Sequence, residues 1–284
     1  MNMIFHLAKS DTLTILWKEL VFIFLFTLGL VYLEQTFFPK AVVLEKLFSV
    51  YSIMGFVISL LLVFRTNTAY DRWWEARKKW GEMVNDTRNF SVKLSVFSLS
   101  QEDRSFFARH IGNFPVSCKE HLRKGVDFSM LNLTPEERDY LTQCQHVPAG
   151  IVALLNQRLQ ELKESGQLSE QDVIRLDVNL NALLNEIGAC ERIKNTPIPY
   201  SYSLFFKKFI FAYVVTLPFA FVVSFGYFAS IISTFIYYVF VSIEVLAEEI
   251  EDPFGTDDND LPTDELAEKI QVFTQNMLSN KSEK

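Results

Sequence analysis

Charge is missing from two long stretches of this 284-residue chain. Residues 20–64 hold only Glu34, Lys40, Glu45 and Lys46, and residues 209–243 hold no charged residue. The rest of the 27 basic and 34 acidic residues crowd into the remaining sequence. That division argues against a simple soluble domain and points to two lipid-soluble blocks with a polar body. Cysteine is scarce as well, and three residues cannot build a disulfide scaffold. Basic charge is not in excess: a net charge of −7 and a pI near 5.3 argue against a nucleic-acid binder. Disorder needs low hydrophobicity, whereas 49% of the residues are hydrophobic. There is no Gly-rich phosphate loop, CxxC, HExxH or GxSxG, so nothing supports an enzyme. Strand-like alternation does not persist anywhere, and no repeat with a period of about 20–50 residues is visible.

A bilayer core of about 30 Å needs roughly 20 apolar residues in a helix. Residues 20–38 and 47–64 answer to that length, with Pro39 and Lys40 marking a turn between them, so a helical hairpin is expected. Residues 209–243 are too long for one crossing and just long enough for two. The expected break lies at Ser224–Phe225–Gly226, with Pro218 kinking the first helix. Four spans result; three is the competing count, if 209–243 is one span plus a buried segment. Lys9 and Lys18 precede the first span, and Arg65, Arg72, Arg77, Lys78 and Lys79 follow the second. Arg192, Lys194, Lys207 and Lys208 precede the third, whereas the first hairpin loop holds only Lys40 and Lys46. Basic residues stay inside, so both termini and the region between the hairpins should be cytoplasmic, in a plasma membrane. Cys118, Cys144 and Cys190 then lie in a reducing compartment as free thiols. Residues 1–19 lack an apolar signal-peptide core and are expected to remain as a cytoplasmic N-terminal segment. The layout is therefore 1–19, a transmembrane hairpin over 20–64, a cytoplasmic helical domain over 65–208, a second hairpin over 209–243 and an acidic cytoplasmic segment over 244–284.

Helix signals dominate the polar body. From Leu47 to Phe90 there is no proline, so the second span can continue into the cytoplasm as one helix. Thr134-Pro-Glu-Glu137 and Ser169-Glu-Gln-Asp172 are capped helix starts. Behind the second, Val173, Leu176, Leu180, Leu183, Ile187 and Cys190 form a heptad-like seam, which fits core packing in a bundle or a coiled coil. The fold class is all-α.

Few residues carry chemistry. Cys118 and His121 can share a helix face as a metal pair, or be a buried cysteine beside a surface histidine. His6, His110 and His146 are isolated in the sequence. Phe56, Leu60 and Phe64 recur at i, i+4, i+8 on one stripe of the second span, with Gly55 and Ser59 beside them. Spacing alone also allows that stripe to face lipid or another helix. Thr196-Pro-Ile-Pro199 is a rigid extended turn that presents Ile198, or a plain linker. Asp252-Pro-Phe-Gly-Thr-Asp-Asp-Asn-Asp260 is dense enough in oxygen donors for Ca²⁺, though it lacks EF-hand spacing, and a solvated acidic loop is the alternative.

Three segments together resemble the bestrophin family of ion channels, in its bacterial branch. They are Phe64-Arg-Thr-Asn-Thr-Ala-Tyr-Asp-Arg-Trp-Trp-Glu-Ala-Arg77, Cys190-Glu-Arg-Ile-Lys-Asn-Thr-Pro-Ile-Pro199 and the acidic segment just quoted. The resemblance covers residues 5 to 275. It implies a homopentamer around one central pore that conducts chloride-like anions passively through the lipid bilayer. It also implies a narrow apolar neck, which falls on Phe56, Leu60 and Phe64, and a second constriction at the cytoplasmic exit, which falls on Ile198. Eukaryotic bestrophins use the acidic segment as a Ca²⁺ clasp. Asp257, Asp258 and Asp260 match that pattern, while Thr256 and Asn259 replace acidic residues. No cofactor is expected beyond this Ca²⁺. A cation channel on the same scaffold and a non-conducting membrane scaffold are the competing functions.

Overall fold

The computed structural model describes residues 11–37 and 42–279. The turn expected at Pro39 and Lys40 lies outside the described residues, as do His6 and Lys9. Among the described residues every regular element is helical. The order is α1 (Asp11–Phe37), α2 (Val42–Ser95), α3 (Gln101–Arg123), a short 3₁₀ turn (Phe128–Met130), α4 (Pro135–Gln143) and α5 (Val147–Glu164). Then follow α6 (Glu170–Asn195), α7 (Tyr200–Thr216), α8 (Pro218–Phe225), α9 (Phe228–Glu251) and α10 (Thr263–Ser279). Four stretches are long and apolar enough to cross a membrane: Thr12–Phe37, Phe48–Ser95, Tyr200–Phe225 and Phe228–Glu251.

The chain divides into two compact units. Met1–Asp71 with Pro197–Glu251 form the first, and Arg72–Thr196 with Asp252–Lys284 form the second. In the first unit α9 packs on α1, α7 and α8. Its core joins Ile23 of α1, Ile58 and Leu62 of α2, Phe206, Ile210 and Tyr213 of α7, and Tyr237 and Phe240 of α9. Hydroxyls in these apolar helices turn back onto the carbonyl one turn earlier, as Thr27 does to Ile23 (2.8 Å) and Ser59 to Gly55 (2.9 Å). An apolar helix tolerates such residues only when their hydroxyl is satisfied locally. Pro218 has no N–H to give, so α7 passes into α8 through Leu217, which keeps helical angles and donates to Val214 instead. The turn into α9 is made at Gly226 with φ of 53°, a left-handed value that a side chain rarely adopts.

The second unit has an ordinary apolar core. Trp80, Met83 and Phe90 of α2 meet Phe107 and Phe114 of α3, Ile151 and Leu155 of α5, and Leu180 and Leu183 of α6. Both expected capping boxes are present, Thr134 with Glu137 and Ser169 with Asp172. The heptad-like seam of α6 is buried throughout and packs within this core, with α5 as a neighbour. Helix α10 lies on α3, where Gly112 lets Gln271 approach: a Cβ there would meet the Gln271 Cγ at 3.2 Å.

The compact units and the apolar runs end at different residues. The first run ends at Phe64, yet the unit continues to Asp71, and the second unit stops at Thr196 rather than beyond Lys208. Arg65, although charged, is 1% exposed and packs inside the first unit.

Candidate functional site

Helix α2 has two distinct faces within the first unit. Ile58, Leu62, Arg65 and Ala69 are buried on one. Phe56, Leu60 and Phe64 lie on the other, exposed by 70%, 45% and 54%. The opposite face is held by a close approach. A Cβ on Gly55 would stand 2.6 Å from the Tyr213 hydroxyl, which donates to the Tyr51 carbonyl at 3.1 Å. Only glycine lets α7 come so near, and this contact orients the stripe away from the packed core.

One turn of chemistry sits directly below Phe64. Arg65 Nη2 donates to Glu251 Oε2 at 2.7 Å, and its Nε lies 3.6 Å from Glu244 Oε1. The other oxygen of Glu251 accepts the backbone N–H of Ile198 at 2.7 Å. A single carboxylate at the end of α9 therefore holds both the residue after the stripe and the residue at the Pro-Ile-Pro turn. Phe56, Leu60, Phe64 and Ile198 thus belong to one bonded framework. Sequence reading took Arg65 as a topology charge and did not single out Glu244 or Glu251. The signal was there: Arg65 continues the i, i+4, i+7 phase of the buried Ile58 and Leu62.

The remaining motif residues act within the second unit. Arg72 donates to the carbonyls of Ile193 and Thr196 and so closes the C-terminal end of α6, where carbonyls lack helical partners. Glu75 accepts from Arg192 at 2.7 Å. Trp73 Nε1 donates to the Asn259 carbonyl at 3.0 Å, tying α2 to the acidic segment. The three segments picked out by pattern are therefore joined by hydrogen bonds.

The acidic segment is folded on itself. Asp260 Oδ2 accepts the Asp257 N–H at 2.7 Å, and the Asp260 N–H returns to the Asp257 carbonyl at 3.0 Å. Gly255 is required beneath this turn, since a Cβ would stand 2.5 Å from Asp260 Oδ2. Burial raises the Asp260 carboxyl above its usual range. Asp257 and Asp258 are exposed. No three carboxylates of the segment offer ligand atoms within 4.8 Å of one another among the described residues.

Comparison with known proteins bears on the whole chain. The profile described as bacterial/fungal bestrophin protein matches residues 1–276. A voltage-dependent anion channel-forming protein of Ralstonia nicotianae is 32% identical over 237 residues, covering 82% of this chain and 78% of that protein. One from Nostoc is 35% identical over 226 residues, covering 77% and 74%. Among solved structures, a mutant of a bacterial bestrophin homolog from Klebsiella pneumoniae superposes with a TM-score of 0.84 at 28% identity. It covers 93% of this chain and 99% of that one.

Proposed function

The chain belongs to the bestrophin family, and on that premise we propose that it is a multi-pass membrane channel for chloride-like anions, assembled as a homopentamer. The relatives named as anion channel-forming proteins support this reading. The observation that carries it is the division of α2 into a buried face and an exposed apolar stripe. Five copies of that stripe, turned to a common axis, make a narrow neck from Phe56, Leu60 and Phe64. Ile198 makes the second constriction at the cytoplasmic exit. Residues 65–208 and 244–284, with both termini, lie in the cytoplasm below a plasma membrane. Apolar rings gate by expelling water, and phenylalanine edges present positive charge that attracts a dehydrated anion. Phe56 and Phe64 supply two such rings.

Glu251 sets the distance between the two constrictions, because it binds Arg65 and the Ile198 amide together. The acidic loop acts as an internal latch rather than as a calcium sensor. Single-channel recording from purified protein in planar bilayers tests the neck. The combined Phe56→Ala, Leu60→Ala and Phe64→Ala variant should conduct several-fold more than the wild type. Equal conductance in a correctly assembled variant would place the neck elsewhere.

A further inference from the structure

Three polar side chains from three helices of the second unit meet at one point. His121 comes from the last turn of α3, His146 is the N-cap residue of α5 and Glu191 lies near the C-terminus of α6. The His121 Nε2 is 2.7 Å from Glu191 Oε1, and the His146 Nε2 is 2.8 Å from the same oxygen. The two imidazole centroids are 4.6 Å apart. One ligand atom from each residue falls within 4.8 Å of the others, and no other such trio occurs among the described residues. All three are partly exposed, so an ion can reach them from solvent. Cys118, one turn before His121, is fully buried in the core, and burial pushes its thiol well up, so it takes no part.

We propose that His121, His146 and Glu191 bind a divalent transition-metal ion, with zinc the best match and water as the fourth ligand. Two imidazole nitrogens and one carboxylate oxygen with an open fourth side form a three-ligand zinc set, whereas calcium takes six or more oxygens. Tetrahedral bonds of about 2.0–2.1 Å place ligand atoms about 3.3 Å apart. The present 2.7 and 2.8 Å contacts therefore open by about half an ångström, a side-chain adjustment.

Proton bookkeeping fixes what the site gives up. The His146 Nδ1 accepts the Ala149 N–H at 3.0 Å, so the neutral ring carries its proton on Nε2 and donates it to Glu191. Coordination at Nε2 displaces that proton, and the ring then needs one on Nδ1. The ion thus competes with the cap of α5, which weakens binding by roughly five- to tenfold. It also joins the ends of three helices, at a point on α6 seven residues before Ile198 in the chain.

The proposal is independent of conduction and is tested by binding. Full-length protein in detergent is stripped with chelator and titrated with Co²⁺ while its visible absorption is followed. The wild type should develop the bands of a low-coordinate cobalt site, saturating near one ion per chain, bleached by Zn²⁺ and untouched by Ca²⁺. His146→Asn keeps a capping oxygen for α5 but loses the Nε2 ligand, and Glu191→Gln loses the carboxylate charge. Each should weaken Co²⁺ binding by at least about tenfold, while Asp257→Asn leaves it unchanged. Zn²⁺ should raise the unfolding midpoint of the wild type and of Asp257→Asn only. Folded wild type without cobalt bands overturns the proposal. So does undiminished binding in both ligand variants, which would leave the trio as an ion pair alone.

Discussion

The two compact units treat buried charge in opposite ways. In the second, several buried charges are matched closely: Asp103 receives Arg158 at 2.6 Å, Arg104 donates to the Phe97 carbonyl at 2.7 Å, and Lys119 pairs with Asp264. Its large apolar side chains are turned inward. In the first unit the large apolar side chains point outward along α1, α2 and α9, and Phe22, Leu25, Phe56, Phe228 and Phe235 are all exposed. Charges go inside instead, and they are few and sparsely paired. Neither oxygen of Glu34 has a hydrogen-bond partner among the described residues, and Glu244 meets Arg65 only at 3.6 Å. Lipid explains the inversion. Against hydrocarbon an apolar face needs no cover, whereas every charge must be drawn into protein and becomes a fixed point of the framework.

The largest expected effect follows from that last statement. Arg65→Met removes the cation that lies 2.7 Å from Glu251 and 3.6 Å from the buried Glu244 carboxylate, at a cost of about 3–5 kcal/mol. Thermal unfolding of the assembled protein should fall steeply, and conduction should lose its wild-type form because Ile198 loses its anchor. An unchanged midpoint would mean that the buried pair is not a fixed point. Next comes Gly55→Ala, which drives a methyl to 2.6 Å from the Tyr213 hydroxyl and should cost about 1–3 kcal/mol. Tyr213→Phe in the same chain should restore part of that loss; if it does not, α2 and α7 are held by other contacts.

Glu186 sharpens the comparison from the other side. It is a buried carboxyl in the second unit, and burial, then its hydrogen bond with Asp86, lifts it from 4.5 to about 9. The folded form keeps the proton over a range where the unfolded form has released it. Folding therefore takes up a proton between those values, and stability falls as pH rises through them. Glu186→Gln should stabilise the protein by on the order of 1–3 kcal/mol near pH 8, and the gain should shrink towards pH 4. Denaturant unfolding at the two pH values measures it, and a pH-independent difference would contradict the assignment. The smallest effect is expected at the exposed Lys79–Glu82 pair, where Lys79→Gln should change stability by less than about 1 kcal/mol.

The sequence was most legible where one periodicity decided the outcome. Apolar runs located the membrane-length helices, Gly226 marked the turn before α9, and two capping boxes marked α4 and α6. The buried seam of α6 was legible as a face, although only packing could say what covers it. Long-range polar partners were not legible. His121, His146 and Glu191 are separated by 25 and 45 positions, so no local pattern joins them, and His146 read as an isolated residue. Arg65 and Glu251 are 186 positions apart. A charge beside an apolar run looks like a membrane boundary, and only the phase of its helix reveals that it turns inward.

The central claim is that the exposed apolar stripe of α2 lines an anion path. The reversal potential of purified wild-type protein in a planar bilayer under a KCl gradient tests it most directly. A value close to the chloride equilibrium potential is predicted. A value close to the potassium equilibrium potential would contradict the account, because an apolar neck with positive phenylalanine edges gives no preference for cations.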